Sequence, residues 1–355
     1  MQKIALIGGK IFDGENFMEA DLLVQDGKIV AMGEIERRNA IEIDCTGCII
    51  SSGLVDIHTH LLEMGNMDFG FPADMATIPF GVMYAVDVCA VHSNEEILRK
   101  LCVETKVFIP VDIMGRTLDY ERIEKRIALY GDRAIGVKVF FDKNQYPSIT
   151  ADHLRLACAV AREKGLLVMV HSTGSPIPMA EIVEILSSGD ILSHVYHGGE
   201  YTVEENDYKA YKLAKEKGVV LDAGMAGGVH TDFKVLEKAL KNGYIPDTIS
   251  SDITKASAYI RGGVYGLPMC MSIMKSFGME EEKVFQAVTK NAAKAVGQDI
   301  WYGLKVGNQA TMSVMKYDYE PINMMDRAGN CISIQQGYTC KLTIKNGQII
   351  YRKEI

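Results

Sequence analysis

The feature that most constrains this chain is a period. Short apolar runs at residues 49–58, 81–88, 106–114, 134–141, 166–171, 190–196, 219–224 and 247–252 each carry a polar residue near the C-terminal end: His58, Asp87, Asp112, Lys138, His171, His194, Asp222 and Asp252. These residues follow one another at intervals of 23 to 33 positions, about the length of a strand, a helix and two short loops. The segments between them carry helix signals. Thr150-Ala151-Asp152-His153 opens one helix and Lys164-Gly165 closes it, with similar stops at Tyr130-Gly131, Lys217-Gly218 and Asn242-Gly243. Eight near-equal βα units predict an α/β fold, a (β/α)8 TIM barrel whose reactive groups stand at the strand C-termini. An open doubly wound sheet is the alternative; it more often carries a glycine-rich phosphate loop after its first strand, and none follows His58.

The two ends of the chain read differently. Asp21-Leu22-Leu23-Val24-Gln25, then Asp26-Gly27, then Lys28-Ile29-Val30-Ala31-Met32 is strand, two-residue turn, strand. Lys341-Leu342-Thr343-Ile344, a turn at Asn346-Gly347 and Gln348-Ile349-Ile350-Tyr351 repeat the pattern near the C-terminus. Terminal hairpins can join into one module, because chain ends in compact proteins often lie close together. The expected division is residues 1–50 and 301–355 as the two parts of a small β-sandwich, with the barrel at 51–300.

Of the 355 residues, 48% are hydrophobic and 24% charged, enough apolar content for a sizeable core. A net charge of −8 offers no basic footprint for nucleic acid or an anionic membrane surface, so a small-molecule partner is expected. No run of 18 apolar residues is present, which argues against a spanning helix. The start, Met1 to Gly9, lacks the apolar core and cleavage site of a signal peptide. A cytoplasmic protein, with homo-oligomers as a fair prior, is the expectation. Eight cysteines lie scattered in apolar surroundings, as reduced buried thiols do. Cys45-Thr46-Gly47-Cys48 has CxxC spacing, but no second pair follows, and two core cysteines at a strand turn is the simpler reading.

The chemistry concentrates at the strand ends. In Val55-Asp56-Ile57-His58-Thr59-His60, residues two apart on a strand share a face, so His58 and His60 can offer imidazoles to one metal ion. Lys138 stands inside Ile135-Gly136-Val137-Lys138-Val139-Phe140-Phe141, where an ammonium is costly to bury. Three readings stay open for it: a snorkelling side chain, an ion pair with Asp112 on the neighbouring strand, or reaction with carbon dioxide to an anionic carbamate that bridges two cations. His171 and His194 end clean apolar runs, and two such residues in a chain of eight histidines point to metal binding. Asp252 reads as a helix N-cap or, beside a metal, as a ligand and general base. His197, His230 and Arg261 follow the sixth, seventh and eighth strands in loops that would overhang the site, as substrate contacts or as ordinary loop residues; Arg261 would suit a carboxylate. His92 and His153 read as structural or solvent-facing.

Taken together, these residues resemble the binuclear amidohydrolase superfamily, which includes dihydroorotases, hydantoinases, phosphotriesterases and deacetylases. Val288-Thr289-Lys290-Asn291-Ala292-Ala293-Lys294 is similar to the family's post-barrel helix, and 303–310 to the segment re-entering its β-sandwich. The resemblance implies His58, His60 and Asp252 on one divalent ion, His171 and His194 on a second, and carboxylated Lys138 bridging both, with zinc the expected metal. It also implies a hydrolase of an amide, cyclic amide or ester, in which Asp252 is base and then acid. The dihydroorotase-related deacetylases are nearest in pattern. They carry a histidine where this chain has Gly224-Met225-Ala226-Gly227-Gly228, and Asn where Val195-Tyr196-His197 supplies an imidazole.

Two other readings compete. A mononuclear aminohydrolase acting on a purine such as adenine typically has Glu three residues after the strand-five histidine; that position is Gly174, although His197-Gly198-Gly199-Glu200 has the spacing on another strand. A barrel that has lost catalysis and only binds would usually lose ligands, and all six are present.

Overall fold

The structure is a computed structural model that describes residues 3–61, 70–89, 95–260, 266–298 and 303–354. From the N-terminus the strands are β1 (Lys3–Ile7), β2 (Lys10–Phe12), β3 (Phe17–Glu19), β4 (Asp21–Gln25), β5 (Lys28–Gly33), β6 (Ile41–Asp44), β7 (Cys48–Ser52) and β8 (Leu54–Thr59). Then follow β9 (Val82–Asp87), β10 (Glu104–Pro110), β11 (Ile113–Met114), β12 (Thr117–Leu118), β13 (Ala134–Phe140), β14 (Leu167–His171), β15 (Ile191–Ser193) and β16 (Val220–Asp222). The chain ends with β17 (Met312–Met325), β18 (Cys331–Lys345) and β19 (Gln348–Arg352).

Among the described residues, β8, β9, β10, β13, β14, β15 and β16 form one parallel sheet in chain order, with helices between most of them. The expected eighth strand, 247–252, forms no ladder. It joins both edges of the sheet by single parallel bridges, Asp222↔Thr248 on one side and Thr59↔Ile253 on the other. The Asp252 N–H donates to His58 O (2.8 Å) and the Met225 N–H to Ser250 O (3.1 Å). Asp252 has φ 48°, which an extended ladder does not accommodate.

Two other expected runs are divided. In 49–58, Gly53 separates β7, which pairs with β2 and β17, from β8, which pairs with β9. A Cβ at Gly53 would lie 2.7 Å from the Met83 side chain, so only glycine lets the chain cross between sheets there. In 106–114, β10 stops at Pro110, and Ile113–Met114 turns back on Thr117–Leu118 instead.

Alternation on β13 decides which side chains enter the barrel. Val137 and Val139 belong to the main core cluster with the helical layer, while Gly136 and Lys138 share the other face. The Phe108 ring occupies the space where a Cβ of Gly136 would stand, and Phe108, Met169 and Ile191 form a separate interior cluster. Lys138, His171 and Ser193 lie two residues beyond Gly136, Met169 and Ile191, on the same inward face. The helix Ala151–Lys164 starts where Thr150–His153 predicts, and it carries a capping box closed by the His153 imidazole, whose Nε2 reaches Gly115 O (3.1 Å). His153 is therefore buried structure, and His92 lies outside the described residues.

Both terminal hairpins form at the expected turns, with Gln25↔Lys28 and Lys345↔Gln348 as closing pairs. They contribute to two sheets, β5-β4-β1-β6 and β19-β18-β17-β7-β2-β3, which share a core of residues such as Leu6, Val24, Ile50, Val314 and Leu342. Cys45 and Cys48 lie in that core as free thiols. The long β17–β18 hairpin extends beyond this core, and its tip reaches the loop after β16.

Candidate metal centre

His58, His60, His171, His194 and Asp252 line one cavity of about 250 Å³ at the C-terminal ends of the barrel strands, together with Phe140, Gln145, His230 and Thr254. Asp252 is the hub. Its Oδ1 lies 3.1 Å from His60 Nε2 and 3.3 Å from His58 Nε2, and its Oδ2 lies 3.5 Å from His230 Nε2 and 3.9 Å from His194 Nε2. Neighbouring imidazole centroids are 4.9 Å apart for His58 and His194, and 4.6 Å for His171 and His194. Ligand atoms within 4.8 Å of one another form two overlapping groups that share His194: His58, His194 and Asp252, and His171, His194 and His230.

The partners of the imidazoles determine which nitrogens carry lone pairs. Ser193 Oγ donates to Asp222 Oδ2 (2.6 Å), so it accepts from His58 Nδ1–H at 2.8 Å and leaves the His58 Nε2 lone pair facing the cavity. His194 Nδ1–H donates to Gly224 O (2.6 Å), which leaves Nε2 as the acceptor, buried and without a hydrogen-bond partner among the described residues. His171 Nε2–H donates to Thr173 O (3.1 Å), leaving Nδ1. Such outer hydrogen bonds are what hold imidazoles in a ligating tautomer. Burial, reinforced for His58 and His171 by the Lys138 charge, holds His58, His171, His194 and His230 well below the ordinary imidazole range. All four are neutral at pH 7 and ready to ligate.

Lys138 is fully buried, and Nζ lies 3.1 Å from His58 Nε2, with no carboxylate in ion-pair contact among the described residues. The Asp112 partner considered from sequence is taken instead by Arg126 and Arg122. Burial, opposed by the Asp252 and Asp222 charges, pulls the ammonium down to about 8. The neutral amine is then more accessible near pH 7 than for an ordinary lysine.

The loop residues divide. His230 enters the cluster itself, its ring 4.0 Å from that of His194. His197 is buried behind the cavity, bridged to Thr231, with Nδ1 donating to Gly198 O (3.1 Å); it does not line the cavity. Arg261 lies outside the described residues. Sequence reasoning missed the support under His58. Asp222 is buried beneath it and accepts from Ser193, Ser250 (2.8 Å) and Thr248 (2.9 Å). The available signal was Asp222 itself, a polar residue at a strand end.

Among the described residues, no glutamate lines the cavity. Glu200 pairs with Lys143 at 2.5 Å on the surface. At Gly174, φ is 76° and a Cβ would collide with Asp142 Oδ1, so this loop has no room for a glutamate.

A family model described as "Amidohydrolase family" matches residues 49–350. This chain belongs to the amidohydrolase family. A deacetylase of Agrobacterium fabrum is 27% identical over 95% of the chain and 88% of its own length. The crystal structure of a dihydroorotase superposes with a TM-score of 0.87 at 24% identity, covering 99% of both chains. That of an adenine deaminase gives 0.84 at 22% identity, covering 99% of this chain and all of its own. At these identities the two structures establish the shared TIM-barrel fold alone. The protein is a metal-binding hydrolytic enzyme of this family, and the non-catalytic reading falls. Among the described residues, no helix is long and apolar enough to cross a membrane.

Proposed function

We propose that the chain is a two-metal hydrolase of an amide, cyclic amide or ester carbonyl in a small molecule. The observation that carries this reading is the convergence of His58, His60, His171, His194 and Asp252 on a single cavity, with the buried Lys138 amine against His58 Nε2 (3.1 Å) and no carboxylate in ion-pair contact with it among the described residues. The donor set suits divalent ions, because the tautomers leave ligating nitrogens facing inward and one of them, His194 Nε2, has no other partner among the described residues. His58, His60 and Asp252 would hold one ion and His171 and His194 the other, with carboxylated Lys138 between them; zinc suits the imidazole-rich set. Two such ions supply a water ionised near neutral pH and polarise the substrate carbonyl.

The chain's own residues do the rest. Asp252, within reach of four imidazoles, takes the water's proton and delivers it to the leaving group, so one carboxylate serves as base and then acid. The neutral Lys138 amine is the form that reacts with carbon dioxide, and full burial favours it. Phe140 and Val229 line the cavity beside the ligands and limit access of bulk water. A volume of about 250 Å³ suits a small acyl compound, at or below the low end of ligand pockets. N-acyl amino acids, hydantoin- or dihydroorotate-like rings and acylated hydroxy acids are the substrate classes, in keeping with relatives named deacetylase and dihydroorotase. The proposed architecture is a barrel of 51–300 with a β-sandwich of 1–50 and 301–355.

The test is metal analysis of the purified protein together with a hydrolysis panel of those compounds. Two ions per chain, activation by bicarbonate and release of a carboxylate product are expected. One ion per chain with ammonia released from adenine would replace this reading with deamination.

A further inference from the structure

The loop 226–232 brings a third imidazole to the pair, His171 and His194, that the family resemblance gives to the second ion. The His230 ring centroid lies 4.0 Å from that of His194 and 4.8 Å from that of His171. One nitrogen of each of the three lies within 4.8 Å of the other two. Zinc–nitrogen bonds are about 2.0–2.1 Å long, so small ring shifts would gather all three on a single ion.

The surroundings of His230 differ from those of a structural histidine. His153 shows the structural pattern: its Nδ1 accepts from the Thr150 N–H (3.1 Å) and its Nε2 reaches Gly115 O (3.1 Å). In His230, Nδ1 is buried without a hydrogen-bond partner among the described residues, and Nε2 stands 3.5 Å from Asp252 Oδ2, beyond the ordinary N–H···O length. His194 Nε2 is likewise buried without a partner among the described residues. Two such nitrogens on adjacent rings are costly for neutral imidazoles alone and favourable around a cation.

The backbone on both sides of His230 is tied down, although its imidazole is not. The Met225 and Ala226 N–H groups donate to Ser250 O (3.1 Å) and Ser251 O (3.0 Å), Thr231 Oγ1 donates to Met225 O (2.9 Å), and the Asp232 N–H donates to Tyr196 O (3.0 Å). The tip of the β17–β18 hairpin adds two bonds from outside the barrel. The Arg327 N–H donates to Thr231 O (3.1 Å), and Asp326 Oδ2 accepts from the Phe233 N–H (2.8 Å). Ala226 holds φ 42° within this loop, a strained conformation of the kind retained where a functional geometry must be fixed.

We infer that His230 is a third imidazole ligand of the second ion, completing a His171–His194–His230 site. This rests on the two-metal reading and deepens it: one ion takes three imidazoles, the other takes His58, His60 and Asp252. Imidazole-rich sets favour borderline cations such as zinc. The two ions therefore bind unequally, the three-imidazole position holding zinc the more tightly.

The experiment titrates the metal-free full chain with zinc against a chromophoric chelator, and with cobalt(II) followed by visible absorption. The wild type is compared with His230→Ala, which opens space, and His230→Phe, which keeps a ring without nitrogens. Loss of an outer hydrogen-bond partner costs about 10–100-fold in metal affinity. Loss of a ligand should cost more, so both variants should bind the tighter zinc about 100-fold or more weakly. The other ion and the melting temperature of the metal-free protein should change little. At saturation the cobalt spectrum should differ from that of the wild type, and added imidazole should restore affinity to His230→Ala but not to His230→Phe. Wild-type affinity for both ions in both variants overturns the inference, and a raised KM alongside it would make His230 a substrate contact. An unchanged cobalt spectrum at saturation also overturns it, as does weakening of both ions together with a lowered metal-free melting temperature, which exposes a merely structural role. A wild type that binds one ion, lost in both variants, would refute the two-metal reading and leave His230 as a ligand.

Discussion

The barrel mouth and the two-sheet module both place residues in left-handed backbone, and they do so with different residue types. In the module, Asp26 (φ 53°) with Gly27 (φ 80°) and Asn346 (φ 49°) with Gly347 (φ 77°) build hairpin turns from residues that adopt this conformation at little cost. At the mouth the same region is occupied by His194 (φ 64°), Ala226 (φ 42°) and Asp252 (φ 48°). An alanine or histidine there costs on the order of 1 kcal/mol or more. The mouth also buries imidazoles, carboxylates and a lysine, whereas the module buries aliphatic side chains. One region is built for stability; the other spends stability to hold donor atoms around a point where cations would sit.

That contrast can be broken or sharpened by substitution. The largest effect is expected for Asp252→Asn, which should lower kcat by about 10²–10⁴-fold with metal content unchanged. Undiminished turnover, or loss of both ions, would remove Asp252 from the proton-transfer role. Next, Asp222→Asn should weaken metal affinity by about 10–100-fold, because Ser193 loses the anionic acceptor that orients it toward His58. A competition titration against a chelator measures this, and an unchanged affinity would show that His58 needs no such support.

Acid should act on the mouth more than on the module. The four depressed imidazoles bind fewer protons in the folded chain than in the unfolded one. Their contribution is therefore intact above the unfolded value near 6.5 and is lost as pH falls below it. Metal-free protein should lose roughly 1.4 kcal/mol per pH unit for each histidine that only the unfolded chain protonates. Denaturant melts at pH 7.5 and 5.5 test the sign, which reverses if the cluster is stabilised by protonation. The smallest effect belongs to the module. Gly347→Ala, whose Cβ would meet Gly27 Cα at 2.7 Å, should cost about 1–2 kcal/mol of stability and leave kcat/KM alone. A change in turnover without a change in melting would couple the two regions more tightly than their separate cores suggest.

Much of the barrel was legible because burial is periodic. Seven of the eight runs became parallel strands, and the helix stops at Gly165 and Gly218 stand as left-handed caps. The eighth run resembles a strand in order but forms no ladder, because Thr248 and Ile253 join the two sheet edges only through single bridges. His230 shows the limit for the site. Its distance from Gly224 along the chain hid its approach to His194, which depends on how the 226–232 loop folds back.

The sequence by itself determined the repeating βα pattern, the terminal hairpins and the polar residues at strand ends, since each follows from side-chain alternation and local turn chemistry. Tertiary structure decided which nitrogen of each imidazole faces the cavity, because Ser193, Gly224 O and Thr173 O come from other strands or folded-back loops. It also decided that Lys138 has no carboxylate partner among the described residues and that the tip of the β17–β18 hairpin, far away in sequence, reaches the loop after β16. Those are contacts between segments whose separation along the chain carries no record of their distance in space.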